Sequence, residues 1–256
     1  MARPIYEQQV DGITLWEYED FDLEHPSFMI LGLPDSGLVG VIAANHLVEH
    51  LDLREVAGID FQHSMPPIVV IRRGEPKTQL RLFAGRNMLV LLAETPVPTP
   101  AIYPLADLLV DYALRRRIDY LVSIVGIASP SRVKLEKPNV YWLASDEKAK
   151  KLMEGSGAAR LFENGYLVGP YALVLKKAMR SRVSNIILLA DAYIEFPDPE
   201  AAAEVLRVLA KLLNVEISVD SLLEQAEAIR LKLREFMKET RRALGQIKAP
   251  QPILYA

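Results

Sequence analysis

Short apolar runs punctuate the chain up to Asp191: Phe28–Leu31, Ile68–Ile71, Met88–Leu92, Tyr120–Val125 and Ile186–Leu189. Each is strand-length and bounded by polar or turn-forming residues, as expected of strands buried on both faces. Between them the spacing changes to a helical one over Leu38–Leu51, Pro104–Arg116 and Tyr171–Met179, the last with Leu173, Leu175 and Ala178 along it. Strands alternating with helices predict an α/β layered fold around a central sheet. Gln79–Ala84 alternates polar with apolar and predicts a strand antiparallel to its neighbour, so the sheet should be mixed.

After Asp191 the pattern turns wholly helical. Asp198-Pro199-Glu200 offers a cap, a proline at the first helical position and an acidic first turn. Val205, Val208, Leu209, Leu212 and Leu213 then follow the stripe of a helix lying on a core. A second helix is predicted from Asp220-Ser221. Leu222, Ala226, Ile229, Leu233, Phe236 and Thr240 recur at alternating steps of four and three, a heptad seam with Arg and Glu on the other faces. At 1.5 Å per residue, about 24 residues make a rod of roughly 36 Å, long enough to serve as an arm for contacts. Gly245 stops it, and Gln246–Ala256, with two prolines, is expected to be extended. The organisation predicted is an α/β body over residues 1–197, a helical segment over 198–245 that packs on the body and in an oligomer interface, and a tail over 246–256.

Composition narrows the classes. Half of the 256 residues are hydrophobic and a quarter charged, enough for a sizeable core and too balanced for disorder. A formal charge of -3 gives no field that would collect nucleic acid. There is no cysteine, which excludes disulfides, thiolate metal sites and Cys nucleophiles and suits a cytoplasmic protein. The first residues lack an apolar signal core, and no run approaches the ~20 apolar residues of a membrane helix. Neither a membrane nor a nucleic acid is an expected partner.

Several motifs suggest chemistry, and each has a plainer reading. Gly32–Gly40 lies between a strand and a helix, where backbone N–H groups could cradle an anion. It lacks the Gly-Lys-Ser/Thr of a phosphate loop and the spacing of a dinucleotide fingerprint, and Pro34 takes the place of the first glycine of a G-x-S-x-G elbow. Tight turning and close helix–sheet packing account for its glycines. His46-Leu47-Val48-Glu49-His50 matches H-x-x-E-H, a zinc-binding spacing, but has no third ligand to hand; a helix with polar residues on its solvent side is the simpler reading, and no metal or other cofactor is expected. Asp35, Glu94, Asp191 and Glu195 follow strands, where α/β enzymes place acid–base groups, yet turn and capping roles suffice. Ile127–Arg132 reads as a loop, and Arg115–Arg117 as the basic end of a helix.

Leu254-Tyr255-Ala256 is a hydrophobic residue, a tyrosine and any residue. With 10 tyrosines in 256 residues and half the positions hydrophobic, such a match arises by chance about 2 % of the time. An extended segment delivered by a long helix suits presentation to a partner's pocket, where the apolar side chain fills a slot and tyrosine offers a ring and a hydroxyl. The other reading is an ordinary tail folded back on the surface.

Taken in order, Gly32-Leu33-Pro34 through Gly37-Leu38-Val39-Gly40, Thr95-Pro96-Val97-Pro98 after Leu91–Glu94, Gly165-Tyr166-Leu167-Val168-Gly169, Phe196–Ala202 and Val219-Asp220 resemble the second class of proteasome assembly chaperones and their archaeal homologues. The resemblance covers most of the chain. It implies a three-layer α/β/α sandwich with a mixed sheet, similar to nucleoside phosphorylases, with a C-terminal helical extension. It implies a chaperone or activator that binds the proteasome core particle without catalysis, and a homo-oligomer. Leu254, Tyr255 and Ala256 then look like the motif that enters pockets of the outer proteasome ring, and Leu222, Ile229, Leu233 and Phe236 are the expected oligomer interface, larger than a dimer. Two other classes remain: a phosphorylase- or hydrolase-like enzyme, which would need converging carboxylates and an anion site beside Gly37, and a scaffold that packs its tail away and assembles with another protein through the long helix.

Overall fold

A computed structural model of the chain describes residues 4–64 and 67–245. Its centre is four parallel strands in the order β8 (Met88–Ala93), β3 (Phe28–Gly32), β9 (Tyr120–Ala128) and β12 (Asn185–Ala192). Along β3 the side chains alternate between two cores: Phe28 and Ile30 face one side, Met29 and Leu31 the other. β12 does the same with Ile186, Leu188 and Ala190 against Ile187 and Leu189. Apolar residues at every position are what a strand needs when helices cover both faces.

One layer holds α1 (Val39–His50), α3 (Glu147–Ser156) and α5 (Pro199–Leu213); the other holds α2 (Thr99–Arg115) and α4 (Pro170–Ser181). The expected three-layer α/β/α arrangement with a mixed sheet is the fold observed. Antiparallel additions widen the sheet to ten strands. On one side lie β7 (Leu80–Gly85), β4 (Arg54–Phe61), β2 (Ile13–Glu17) and β1 (Tyr6–Val10); on the other lie β10 (Val140–Ala144), antiparallel to β12, and the short β11 (Arg160–Leu161), parallel to β10. The helical C-terminal region continues with α6 (Asp220–Glu224) and α7 (Ala226–Gly245).

α5 begins as its sequence predicts: the Asp198 carboxylate accepts from Ala201 N at 3.1 Å and Pro199 occupies the first turn. Asn214 closes it with φ of 52°, the left-handed cap geometry an asparagine tolerates.

Three expectations are corrected. Ile68–Ile71 is no buried strand. Among the described residues Val70–Arg72 forms β5, which pairs only with β6 (Glu75–Lys77) through a two-residue turn, Arg73-Gly74, with φ of 52° and 81°. Positive φ at both positions is the tight hairpin geometry, and Pro76 opposite Ile71 has no N–H to extend the ladder. α2 starts at Thr99 rather than Pro104, because Pro100 sits at the helix start and Pro104 is accommodated one turn further on. β7 pairs antiparallel with both β4 and β8, as its alternation predicts, although it is buried on both faces. The last helix is interrupted at Gln225, although Gln225 N to Ser221 O (3.1 Å) and Ile229 N to Gln225 O (2.9 Å) carry the helical path through.

Candidate functional site

In a doubly wound sheet, ligands bind beyond the carboxyl ends of the parallel strands. Here that region starts with the turn after β3. Gly37 has φ of 69°, and a Cβ there would stand 2.9 Å from the Cβ of Ala192. A Cβ on Gly126 would stand 1.8 Å from Ser36 O, so backbone passes against backbone at this point. Close packing thus explains these glycines. A carboxyl of the chain itself fills the place where an anion would sit: Asp35 Oδ2 accepts from Gly126 N at 2.5 Å and Oδ1 from Gly40 N at 3.4 Å. Burial pushes the Asp35 carboxyl up to about 8, against the pull of those N–H groups. Beneath it, the Tyr171 hydroxyl accepts from Leu33 N at 2.7 Å and donates to Leu31 O at 2.9 Å, locking α4 to the turn.

The loops after β9 and β12 close the same region. Arg132, read from sequence as part of a polar loop, is buried and grips Asp198 with Nε at 2.7 Å and Nη2 at 2.9 Å, its guanidinium 4.4 Å from the Tyr193 ring centroid. Asp198 N donates to Gly37 O at 2.8 Å. Next along, Glu200 holds Arg230 of α7 at 2.5 Å, and Arg241 of α7 reaches Glu195 at 3.4 Å. Burial favours the neutral Glu200 carboxyl, but the hydrogen bonds and charge of Arg230 outweigh it and hold the group below its ordinary range. These pairs seat α7 against the Ser36–Leu38 turn, with Met237 and Thr240 buried under it. The crevice used by enzymes of this architecture is therefore packed with the protein's own side chains.

The remaining carboxylates are likewise engaged. Asp191 accepts from Asn139 Nδ2 at 2.8 Å, and Glu94 accepts from Arg81 at 2.7 Å and from Arg72 Nε at 3.0 Å. Asp35, Glu94, Asp191 and Glu195 do not converge on a shared point; each has its own partner. Arg115 and Arg116 do more than end a helix, since both clasp the buried Glu17, Arg116 Nη2 at 2.5 Å, while Tyr112 donates to it at 2.7 Å.

The two histidines of H-x-x-E-H stack with centroids 5.3 Å apart and hold one residue from both sides. His46 Nε2 lies 2.7 Å from Ser218 O, and His50 Nε2 accepts from Ser218 N at 3.3 Å. His46 is buried, so the solvent-side reading was wrong for it: the pair staples α1 to the α5–α6 connection. Among the described residues no group of three or more His, Asp or Glu could hold a metal ion.

α7 runs back along α1 and leaves a cleft of about 640 Å³ between them. Its floor and walls include Val41, Ile42, Leu92, Ile229, Leu233 and Phe236. Of the expected interface residues, Leu222 is buried on its own body, while Ile229, Leu233 and Phe236 are partly buried against the core and line the cleft. Leu254, Tyr255 and Ala256 lie outside the described residues. Arg132 and Glu17 were the residues missed by sequence reading; Glu17, a lone acid in an otherwise alternating strand facing a basic helix end, was the more discoverable of the two.

The sequence profile of the PAC2 family matches residues 29–237. The MJ0106 protein of Methanocaldococcus jannaschii is 26% identical over 95% of this chain and 99% of its own. Among solved structures, Pyrococcus furiosus PbaA, an archaeal homolog of proteasome-assembly chaperone, is similar with a TM-score of 0.82 at 28% identity, over 90% of this chain and 99% of that one. Pyrococcus furiosus PbaB, an archaeal proteasome activator, shares the fold with a TM-score of 0.74 at 24% identity, over 88% and 98% of the two chains.

Proposed function

Since this chain belongs to the PAC2 family, we propose that it is a cytoplasmic, non-catalytic partner of the proteasome core particle, an assembly chaperone or activator homologue. The observation that carries this reading is the likeness to PbaA over nearly the whole of both chains. The filled crevice supports it. A binding protein has no need of an open pocket at the carboxyl ends of its strands, and here Asp35, the Arg132–Asp198 pair and α7 occupy that place.

In this reading residues 1–197 are the body, 198–245 a helical segment that packs on it and contributes Leu222, Ile229, Leu233 and Phe236 to a homo-oligomer larger than a dimer, and 246–256 the docking tail. Leu254, Tyr255 and Ala256 enter pockets of the outer proteasome ring, and several tails on one oligomer strengthen binding by acting together. Among the described residues no helix is long and apolar enough to cross a membrane, which agrees with a partner met in solution. The test is capture of core particles by the intact chain and by one lacking residues 254–256. Equal capture by both would exclude tail docking, and no capture by either would exclude proteasome binding altogether.

A further inference from the structure

The β5–β6 hairpin stands apart from the ten-stranded sheet and carries the most exposed cluster of aliphatic side chains in its neighbourhood. Ile68, Val69 and Ile71 are 46%, 62% and 59% exposed within four residues of chain. A two-stranded hairpin is marginal in water by itself. Among the described residues this one is tied to the body at its base, by Arg72 to Glu94, by Lys77 to Glu55 at 3.3 Å and by Gln79 Nε2 to Ile68 O at 3.0 Å. Its tight Arg73-Gly74 turn fixes its shape, yet its apolar edge faces solvent, a surface that calls for a cover.

The α1–α7 cleft is its complement. Its floor is apolar, with Val41, Ile42, Leu92, Ile229, Leu233 and Phe236, and its polar rim carries the exposed carboxylates Glu49 and Glu239 and the exposed Lys232, none of the three with an ion pair among the described residues. At the hairpin tip Arg73 is exposed and equally without an ion pair among the described residues. The apolar floor and the two unpaired carboxylates of the cleft thus answer the apolar edge and the unpaired arginine of the hairpin.

We propose that the α1–α7 cleft receives the β5–β6 hairpin of a second copy of this chain, Val69 and Ile71 packing on Ile229, Leu233 and Phe236 and Arg73 meeting Glu49 and Glu239. The cleft cannot be served by its own hairpin, whose base already abuts it through Arg72 while Ile68, Val69 and Ile71 stay outside the lining. Because donor and acceptor surfaces adjoin, the exchange is reciprocal: each copy gives a hairpin and takes one about a two-fold axis. An oligomer larger than this pair needs a second contact elsewhere. The inference rests on the self-association part of the function proposed above and names the elements that carry it.

The chain has no cysteine, so single cysteines report cleanly. Chains bearing Ile71→Cys, mixed with chains bearing Lys232→Cys on the cleft rim, should form a disulfide-linked pair of unlike chains under mild oxidation, without proteasome present. Light scattering should show Val69→Asp and Ile71→Asp each weakening self-association on the order of thirtyfold. Arg73→Glu should weaken it about tenfold, and adding Glu239→Arg should restore part of the loss, which a merely structural role for Arg73 would not produce. An oligomer that persists in the Asp variants and gives no mixed disulfide overturns the hairpin exchange and leaves self-association standing, the cleft then having another occupant. A wild-type monomer at micromolar concentration overturns both. Neither result bears on tail docking, which is read separately by core-particle capture.

Discussion

Arg132 and Asp198 form a buried two-pronged ion pair, 66 residues apart in sequence, and the same carboxylate caps α5 through Ala201 N. One acidic group thus sets the loop after β9, the start of α5 and, through its own N–H to Gly37 O, the turn after β3. Removing either partner leaves the other charge buried and alone. Asp198→Ala and Arg132→Met are each expected to cost about 3–5 kcal/mol in urea denaturation. The double substitution should cost clearly less than the sum, because it removes both charges together.

Asp35 supplies a pH dependence with a definite sign. Its folded carboxyl lies near 8, above its unfolded value near 3.8, so between those pH values the folded chain holds a proton that the unfolded chain has lost. The group's contribution is fully present below about 4 and is lost as pH rises through about 8. Asp35→Asn removes this titration. The stability difference between wild type and variant should therefore shift against the wild type as pH goes from 5 to 8, measured by denaturant titration at each pH. A difference that stays constant would show that Asp35 does not titrate in that range.

Thr240 Oγ1 is buried beneath α7 without a hydrogen-bond partner. Thr240→Val replaces the hydroxyl by a methyl of similar shape and should stabilise the chain by about 1 kcal/mol, read as a raised melting temperature. A loss of stability would mean that the hydroxyl is satisfied in solution.

The histidine staple predicts a contrast between neighbours. His46→Ala removes a buried ring and its bond to Ser218 O and should cost about 2 kcal/mol; His50→Ala, at the exposed end, should cost under about 1 kcal/mol. Zinc or a chelator should leave the melting temperature unchanged, since both rings are committed to one backbone residue. A zinc-dependent rise would reinstate H-x-x-E-H as a metal site.

Tyr255 is the anchor of the proposed docking tail. Tyr255→Ala should cost on the order of 2 kcal/mol per tail, about thirtyfold in affinity for one site, with fold and oligomer size unchanged. Core-particle binding and peptide hydrolysis with wild-type and variant chains measure it. Loss of the oligomer instead of binding would point to a structural tail.

The central layer was legible because β3, β9 and β12 each carry a nearly continuous apolar run, a pattern few alternatives accommodate. α5 was legible because Asp198 and Pro199 signal a helix start locally. Ile68–Ile71 misled for the converse reason: apolarity says that a segment wants cover, not that its own sheet provides it. β1, β2, β4 and β10 were missed because antiparallel additions at the flank mix polar with apolar residues and lack the continuous apolar runs that mark the centre. Ion pairs such as Arg132–Asp198 and Arg115–Glu17 join residues that only the folded chain brings together, so each partner looks like ordinary surface charge in the sequence.

The position of α5 has a consequence for the nascent chain. Its residues Ala201, Ala202, Val205, Leu206 and Leu209 pack on β12 and on the flank of α1, which itself lies over β3, β8 and β9. Those strands leave the ribosome well before α5, and domains fold from the N-terminus as synthesis proceeds. β3 can pair with β8 and β9 early beneath α1, but β12 and α5 arrive last, so the apolar flank of α1 and the β12 edge of that face stay uncovered until residue 213 has emerged. The interval before α5 docks is when this protein itself is most in need of protection from aggregation.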